Sequence, residues 1–580
     1  MSINVPPNIQ IGSINREFVT ILDDLLRMIP QIIPEWTYTG QDDFGRALLE
    51  LASYLADHLH YRADATLRDA LPTRSPDREI VREYAEWLGY LARRVTASEA
   101  DVTLYVDEVL DEDVALERGF RLSGQGEGGT QPFELSDTVV LPTGVLSVAA
   151  HVVQGVTVSE LQLGLASGAP AERFRIPYQD CLFNWDDADL EVTVGGLPAG
   201  HQKFPALITP DALEYWVRQD RDGYLQVRFG DGTYGRTLPP GAAVVCTFRR
   251  GGGTSGNVGS AAIDTVVDVA RLLDNTVVDL KVTNAEQASG GAPEEGLESI
   301  RVQAPAAFRN QDRAVSVTDY TEHALRVAGI YRARVATYGV NGVIVYVVPV
   351  GVSSGVLVTR ATRAAVTRAL DRVKMATDSV SVLAADLIVV DVTLNVRANR
   401  MARNGVVREA VRRRFVDRET GIFWSTRNDL GRTLWQSDMV NEIEDVAGVN
   451  NLDVIQYCRR PVLRWLATVG TAVLSDSGVA TNVTTRSQTW LIEMISSTEF
   501  IVTGSLAGLQ STFGVIDTPW ADDAGEIGFT MQAGVVPAGE GDTAEIVVGE
   551  LRGNIALGPS EFPIFDASSV TINVTGGIGA

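Results

Sequence analysis

The sequence predicts a multidomain α+β protein that is rich in β structure, and three observations predict it. The 580 residues are enough for about four domains of ordinary size. The chain has 54 glycines, and glycine-rich turns recur between short stretches in which apolar and polar residues alternate. Helix-type apolar spacing is concentrated in the first hundred or so residues and returns after residue 284.

The order of these patterns divides the chain into six regions. We expect an N-terminal helical region at 1–98, a central antiparallel β domain at 99–283, a helical connector at 284–328, a split α+β sandwich domain at 329–462, an additional β-sandwich-like domain at 463–556, and a C-terminal strand at 557–580 that returns to the core. Residues 461–580 contain three arginines and thirteen acidic residues, so the composition changes near this boundary. The last strand resembles the domain before it, which favours an insertion at 463–556.

Two apolar patterns open the chain. Ser13 is placed to cap a helix whose stripe is Ile14, Phe18, Leu22, Leu25 and Ile29, and which we expect to stop at Pro30. Ser75, followed by Pro76, predicts the start of a later helix. That helix carries Ile80, Tyr84, Trp87 and Leu88 and is expected to end at Gly89.

The helix between these two has the most regular apolar stripe. It is expected to start after Asp42 or Asp43, and five of its residues step by three and four: Phe44, Leu48, Leu51, Leu55 and Leu59. Tyr54 and Tyr61 lie off this stripe. The stripe can pack against the rest of the chain or against a partner. The two tyrosines give the helix a second apolar surface, which a helix needs if it is to bind in a groove of a partner.

From 100 to 280 the period changes to two. Val102, Leu104 and Val106 alternate with polar residues, which predicts antiparallel strands of a sandwich or barrel. Farther on, Ser316 or Thr318 is expected to begin a helix. Strands at 343–348, 386–397 and 452–457 then alternate with helices near 357–373, 404–417 and 436–446, which predicts a split α+β sandwich and leaves open whether it is duplicated.

The densest glycine run is Phe229–Ser260, and it contains Gly230-x-Gly232-x-x-Gly235. A dinucleotide site needs a helix after these glycines, whose N-terminus faces the pyrophosphate. Pro239 and Pro240 follow instead, and then a strand, so we predict a β connection and no cofactor. Arg249 and Arg250 close that strand, and we assign them to contacts with an acidic neighbour.

Other apparent sites lack partners. Gly351–Gly355 has the nucleophile-elbow pattern around Ser353, but no histidine follows His323, so the base of a hydrolase is missing. His58 and His60 point to different helix faces, and the Asp220–Gly223 loop lacks the closing glutamate of a calcium site. We therefore predict no catalytic residues and no metal.

Composition narrows the partners. The formal net charge of −25 disfavours general nucleic-acid binding, which depends on neutralising phosphates. No apolar run reaches membrane-spanning length, so we expect no membrane contact. Three dispersed cysteines indicate reduced thiols and a chain that folds in a cytoplasm.

Four motifs occur in an order that resembles a known family. The first is DFGRALLELASYLAD at 43–57 with LPTRSPDREIVREYAEWLGYLARR at 71–94. The second is FGDG at 229–232 with Pro239-Pro240-Gly241, FRRGGG at 248–253 and GNV at 256–258. The third is RAVSVTDY at 313–320 with VAGI at 327–330, and the fourth is VAGV at 446–449. The ordered set resembles the baseplate wedge proteins of contractile phage tails, the baseplate J-like family, over most of residues 13–460.

This resemblance implies a structural subunit of a virion tail baseplate, assembled in the host cytoplasm, and not an enzyme. Family members pair as dimers within each wedge, join into a ring around the central hub, and contact sheath-initiating or hub-side baseplate proteins. Their N-terminal helices bundle with a second wedge protein, which assigns the Phe44–Leu59 stripe to that contact. The machine can be a phage tail or a related injection system.

Two other functions stay open at this stage. One is a tail-associated hydrolase acting on carbohydrate or ester substrates, with Ser353 or an acid pair in its site. The other is a receptor-binding protein that uses the acidic domain near 465–555 as its tip.

Overall fold

The computed structural model describes residues 17–126, 128–185, 190–272, 276–339, 341–351, 356–416, 421–422, 428–466, 473–481, 485–534, 539–564 and 569–578. The chain divides into two compact units, Met1–Arg313 and Ala314–Ala580. The boundary falls inside the stretch that we expected to be one helical connector, 284–328. Helices and many strands occur in both units, and the prediction of a β-rich, multidomain α+β fold is confirmed.

The first unit begins with helices and continues as strands. Its helices are α1 Phe18–Ile32, α2 Phe44–Asp69, α3 Arg78–Trp87 and α4 Leu297–Asn310. Its strands are β1 Glu99–Tyr105, β2 Val114–Leu116, β3 Arg121–Gly126, β4 Gly129–Leu135, β5 Val139–Leu141, β6 Ser147–Gln154, β7 Val156–Leu165, β8 Arg173–Arg175, β9 Glu191–Val194, β10 Leu197–His201, β11 Glu214–Gln219, β12 Leu225–Phe229, β13 Ala243–Arg250, β14 Ile263–Val266, β15 Ala270–Arg271, β16 Val277–Val278 and β17 Lys281–Thr283.

The second unit mixes helices and strands along its length. Its helices are α5 Val317–Arg326, α6 Arg360–Val373, α7 Asn404–Val416 and α8 Gln436–Glu444. Its strands are β18 Ile330–Tyr338, β19 Gly342–Pro349, β20 Ser379–Ala384, β21 Asp386–Arg403, β22 Val449–Arg459, β23 Leu463–Trp465, β24 Val473–Thr481, β25 Gln488–Met494, β26 Glu499–Gly504, β27 Gly508–Leu509, β28 Gly514–Val515, β29 Pro519–Ala521, β30 Ile527–Gln532, β31 Thr543–Val548, β32 Glu561–Ile564 and β33 Val570–Ile578.

Helices α1 and α2 contact one another as a helical hairpin. Helix α1 is longer than expected. The chain does not leave the helix at Pro30 but at Ile32, and the amide of Ile33 still donates to the Ile29 carbonyl at 2.8 Å. A proline removes one backbone N–H donor from a helix, but the helix continues past it here. The bond from the Ile33 amide to the Ile29 carbonyl closes the last turn. The expected cap Ser13 and the stripe residue Ile14 lie outside the described residues.

Helix α3 differs from the expectation at both its start and its buried face. Its N-cap is Asp77, whose carboxylate accepts from the amide of Glu79 at 2.8 Å, and not Ser75. Val81 and Ala85 are the buried residues and pack against α4, whereas Trp87 is 84% exposed. Arg82 and Glu86 of α3 bond to Gln219 and Arg218 of β11. The helix therefore packs through a narrow apolar strip and through the charged residues beside it.

The strands of the first unit form two separate β modules. One sheet has the order β14-β3-β4-β6-β1-β17, and the other has the order β7-β13-β9-β10-β11-β12-β8. Each has a core of its own, the first around Leu104 and Phe133, the second around Tyr215 and Phe248. Pairing is antiparallel apart from the β10–β11 contact, which is parallel. The single predicted sandwich or barrel is therefore two modules.

The glycine-rich stretch runs strand, turn, strand. After β12, the amide of Gly232 donates to the Gly235 carbonyl at 2.9 Å. The Asp231 carboxylate accepts from the amides of Thr233 and Tyr234. A side chain at Gly230 would collide with the backbone of Gly235, so this turn requires glycine. The chain then enters β13 with no intervening helix, as predicted from Pro239 and Pro240.

The second unit contains two α+β layers. Strands β18, β19 and β20 form one sheet, with β19 and β20 parallel, and α5 and α6 contribute to its core. Ser316 caps α5 in a reciprocal capping box with Asp319, as one of the two predicted starts required. Strand β21 lies between β22 and β33 in the other sheet, whose core includes residues of α7 and α8.

The C-terminal strand pairs far back in the sequence. Strand β33 is parallel to β21, with Val392 opposite Val570, so its partner lies more than 170 residues earlier. Between β22 and β32 the chain forms a six-stranded and a three-stranded sheet around a separate core that includes Trp490, Phe500 and Phe529. Strands β23 to β31 thus leave the β21 sheet and the chain then returns to it.

Candidate partner interface

Helix α2 turns its apolar stripe to solvent. All five stripe residues are more than half exposed: Phe44 at 77%, Leu48 at 53%, Leu51 at 67%, Leu55 at 60% and Leu59 at 59%. The one fully buried residue of the helix is Ser53, whose hydroxyl donates to the Leu49 carbonyl at 2.7 Å. The face of α2 that contains Ser53 also carries Leu49, Ala56 and His60, which are half-buried.

The geometry of a helix explains this reversal. Successive residues are about 100° apart, so Leu51 and Leu55 point roughly 160° away from Ser53. On α1, Leu22 and Ile29 are buried, so the hairpin combines an apolar side of α1 with a mixed apolar and polar face of α2. A soluble helix ordinarily buries its apolar stripe, and a contiguous exposed one marks an interaction surface.

The connection between the two helices is fixed by Trp36. Its indole nitrogen donates to the Asp43 carboxylate at 2.7 Å, and Asp43 also caps α2 by accepting from the Gly45 amide at 3.2 Å. A side chain at Gly45 would enter the ring of Trp36. Arg46 adds a bond to the carbonyl of Thr39 at 3.0 Å. The start of the stripe is therefore held in place by the hydrogen-bonded connection between α1 and α2.

The other end of α2 is anchored to α4. Ser75, which is completely buried, donates to Asp69 at 3.1 Å and accepts from the Asp77 amide at 3.2 Å. Arg301 of α4 donates to the carbonyls of Pro72 and Ser75. Ser75 thus joins α2 to α3 instead of capping α3, which is why the sequence pattern misplaced the cap by two residues.

The exposed apolar surface extends beyond the five stripe residues. Tyr54 and Tyr61, which lie off the stripe, are 64% and 66% exposed. On α1, Val19 and Met28 are also exposed. Sequence reasoning found the α2 residues but not the contributions of α1, because that helix shows a single stripe that it uses against α2.

Arg249 and Arg250 are engaged within the chain. Arg249 forms an ion pair with the buried Glu134 at 3.5 Å. Arg250 contacts Asp180 through two nitrogens, at 2.9 and 3.0 Å, and its guanidinium lies 4.1 Å above the ring of Tyr178. Their acidic neighbours belong to this chain, so the interface proposed below rests on the helical residues.

The cysteines and the Asp220 loop have the surroundings of residues that stabilise the fold. Burial raises the pKa of Cys181 and Cys246 to about 12 and that of Cys458 to about 11, so these thiols are neutral near pH 7. Asp220 accepts from the amides of Asp222 and Tyr224, as in an ordinary turn. Ser353 lies outside the described residues.

Two kinds of site are absent from the residues that the structure describes. No cluster of three or more histidine, cysteine or acidic side chains is arranged to hold a metal ion within the described ranges. Within the same ranges, no helix is long and apolar enough to cross a membrane.

Comparison with known proteins gives distant likenesses. No family model matches the chain, and no curated protein matches it. A chain in the six-fold symmetrised baseplate of the anti-feeding prophage is 14% identical, with a TM-score of 0.30, over 76% of this chain and 86% of that one. A chain of the TssK-TssF-TssG baseplate subcomplex of a type VI secretion system is 9% identical, with a TM-score of 0.28, over 58% of this chain and 96% of that one. At these TM-scores neither likeness establishes a shared fold.

Proposed function

We propose that this chain is a structural, non-catalytic subunit of the baseplate wedge of a contractile tail or a related injection machine. The observation that carries the proposal is the α2 stripe, which is apolar, regular and turned to solvent on the side opposite α1. The ordered motifs from 43–57 to 446–449, which resemble the baseplate J-like family, supply the identity of the machine.

In this proposal the α1–α2 hairpin joins a helical bundle with a second wedge protein. The stripe residues lie along about four turns of α2, and burial of a leucine side chain contributes roughly 1.5–3 kcal/mol relative to full exposure. The hairpin is held at both ends, by Trp36 and by Arg301, so docking orders few additional residues. A preformed hairpin of this kind suits a permanent assembly contact.

The remaining contacts follow from the same identity. The chain pairs with a second copy within a wedge, joins neighbouring wedges into a ring around the hub, and contacts sheath-initiating or hub-side proteins. It helps to couple host engagement to sheath contraction and resides in the tail baseplate.

The substitution Leu55→Asp tests the interface. Leu55 is 60% exposed, so the isolated chain should keep its stability to within about 0.5 kcal/mol. In the bundle the new carboxylate is buried without a partner, and binding should weaken on the order of a hundredfold. The measurement is co-purification and gel filtration of this chain co-expressed with the other baseplate proteins of its own gene cluster.

Leu67→Asp is the matched control. Leu67 is 54% exposed on α2 but lies about 120° of helical rotation away from Leu55, outside the stripe. The variant makes the same leucine-to-aspartate change on the same helix, and complexes should form as with the unchanged chain. If Leu55→Asp complexes are recovered as readily as Leu67→Asp complexes, the stripe is not the wedge contact.

A further inference from the structure

Four arginines converge where α3 lies over the outer side of strands β8, β11 and β12. They are Arg82 on α3, Arg173 on β8, Arg218 on β11 and Arg228 on β12, and we call them the arginine patch. The strand register places Arg228 directly opposite Arg173 on one side and Trp216 on the other. The alternating buried residues of β12, Leu225, Val227 and Phe229, point the other way, into the core.

Two members of the patch are paired within the chain. Arg218 contacts the Glu86 carboxylate at 3.0 Å and donates to the carbonyl of Lys203 at 3.2 Å. Arg82 donates to the side chain and the carbonyl of Gln219 at 2.8 and 2.9 Å, and lies 3.6 Å from Glu79. Glu79 is shared with Arg221, at 2.9 Å.

The other two members have no carboxylate among the described residues. Arg228 donates to the Gln226 side chain at 3.2 Å, and its Nε is buried without a hydrogen-bond partner in the described structure. Arg173 is exposed and makes no ion pair within the described ranges. Partial burial lowers the pKa of Arg228, and the charges of Arg173 and Arg218 lower it further. The four guanidinium groups therefore have only two carboxylates as partners among the described residues, Glu86 and Glu79, and Glu79 also pairs with Arg221.

This arrangement is unusual for the chain that contains it. The net charge is −25, and other arginines such as Arg121, Arg250 and Arg460 are matched to a nearby aspartate. Grouping like charges costs stability that an unliganded protein does not recover. An anion that enters the patch offsets this cost, because a guanidinium pairs a carboxylate through two parallel hydrogen bonds.

We infer that the arginine patch is a docking site for the carboxylates of an acidic segment of a partner protein. Its open side lies at β8, the edge strand of the seven-stranded sheet, so an extended segment can lie alongside Arg173 and reach Arg228. A nucleic acid is disfavoured, because its continuous line of phosphates would also lie against Asp220, Asp222 and the α3 glutamates around the patch, whereas a short acidic segment can end its contacts at the arginines. The site shares no residue with the α2 stripe and does not depend on the function proposed above.

The test is binding of a fluorescein-labelled hexaglutamate peptide to the full chain, followed by fluorescence anisotropy at low ionic strength. The double variant Arg173→Gln/Arg228→Gln should bind the peptide about tenfold or more weakly. The same variant should unfold at a temperature equal to or above that of the unchanged chain, because like charges have been separated. A loss of binding with an intact melting curve excludes misfolding as the cause.

The control removes the same amount of charge elsewhere. In Arg121→Gln/Arg413→Gln both altered arginines have carboxylate partners, Asp268 and Glu409, and peptide binding should be unchanged. Inorganic phosphate and a single-stranded oligonucleotide serve as competitors at matched ionic strength. Equal peptide binding by both double variants overturns the inference, and so does displacement of the peptide by phosphate or oligonucleotide at concentrations below that of free hexaglutamate.

Discussion

His151 lies between two carboxylates at the β1–β6 pair. Its Nδ1 is 2.9 Å from Asp101 and its Nε2 is 3.3 Å from Glu99, and the strand register places Asp101 directly opposite it. The hydrogen bond to Glu99 raises the pKa of His151 most, the hydrogen bond to Asp101 raises it further, and burial opposes both. The imidazolium form thus stabilises the first β module.

The sign of the pH effect follows from the raised pKa. Below about pH 6.5, the usual histidine value, the imidazole is protonated in both states and the contribution is fully present. As the pH rises through the higher folded-state pKa, the charge is lost and stability falls. Denaturation by urea should therefore show lower stability at about pH 8 than at about pH 6. In His151→Gln this decrease should be smaller, and an unaltered pH dependence in the variant would assign it to other groups.

Gly252 permits a close approach that no other residue fits. Its φ is +95°, and a Cβ there would lie 2.5 Å from Leu182 Cδ2 and 2.7 Å from Val95 Cγ1. Gly252→Ala should reduce the free energy of unfolding by about 2–4 kcal/mol, through backbone strain and overpacking together. Gly241 has a φ of +80° but open space around it, so Gly241→Ala should cost only about 1 kcal/mol. Denaturation followed by tryptophan fluorescence compares the two, and equal losses would mean that packing at Gly252 is unimportant.

Local capping chemistry was predictable where a single residue decides it. Asp43 and Ser316 were each one of two candidates and both are the caps, since a short side-chain oxygen before an apolar run has little else to bond. Ser75 failed because its hydroxyl bonds to Asp69, six residues earlier. That competition depends on where α2 ends in space, which the spacing of residues does not encode.

At the scale of elements, periodicity identified the faces of α2 but not which of them is buried. The stripe from Phe44 to Leu59 was located correctly, and it is the exposed side. The signal for the other face was present as Leu49, Ser53, Ala56 and His60, which are spaced by four, three and four and of which two are small. Small residues let helices approach closely, so such a row on a helix with a stronger apolar row elsewhere indicates two contacts instead of one.

Strand positions were also more predictable than strand partners. The helices and strands between 343 and 457 lie close to their expected places, because each has a local apolar period. The parallel pairing of β33 with β21 joins residues more than 170 positions apart, and β10 pairs in parallel with β11 inside an otherwise antiparallel module. Such pairings depend on which surfaces remain to be covered after the modules fold.

Across the whole molecule, arginine is the residue that connects secondary structures through polar contacts. Arg82 and Arg218 hold α3 on the β strands, Arg301 holds the α2–α3 loop, and Arg459 bonds Glu561 at 2.7 Å beside β21. Composition, with three lysines among 49 basic residues, does not separate paired arginines from the arginine patch, because pairing depends on the folded positions of the carboxylates.

We expect that the chain between β22 and β32 folds as a unit and can be deleted. Its core around Trp490, Phe500 and Phe529 is its own, and the two connecting segments are adjacent, since the amide of Tyr457 donates to the Leu551 carbonyl at 2.8 Å. Deleting residues 463–548 and joining the ends with a short glycine-serine linker should leave β21, β22 and β33 paired, because loop closure over a short gap costs little.

The shortened chain should be monodisperse and should keep a cooperative unfolding transition in calorimetry, with a smaller unfolding enthalpy because a separate core is missing. Ile492→Asp in the full chain is the complementary variant. Ile492 is fully buried, so the carboxylate should unfold this part alone and leave the remaining transition in place. Aggregation of the deletion variant, or loss of every transition in Ile492→Asp, would show that residues 463–548 are needed for the second unit to fold.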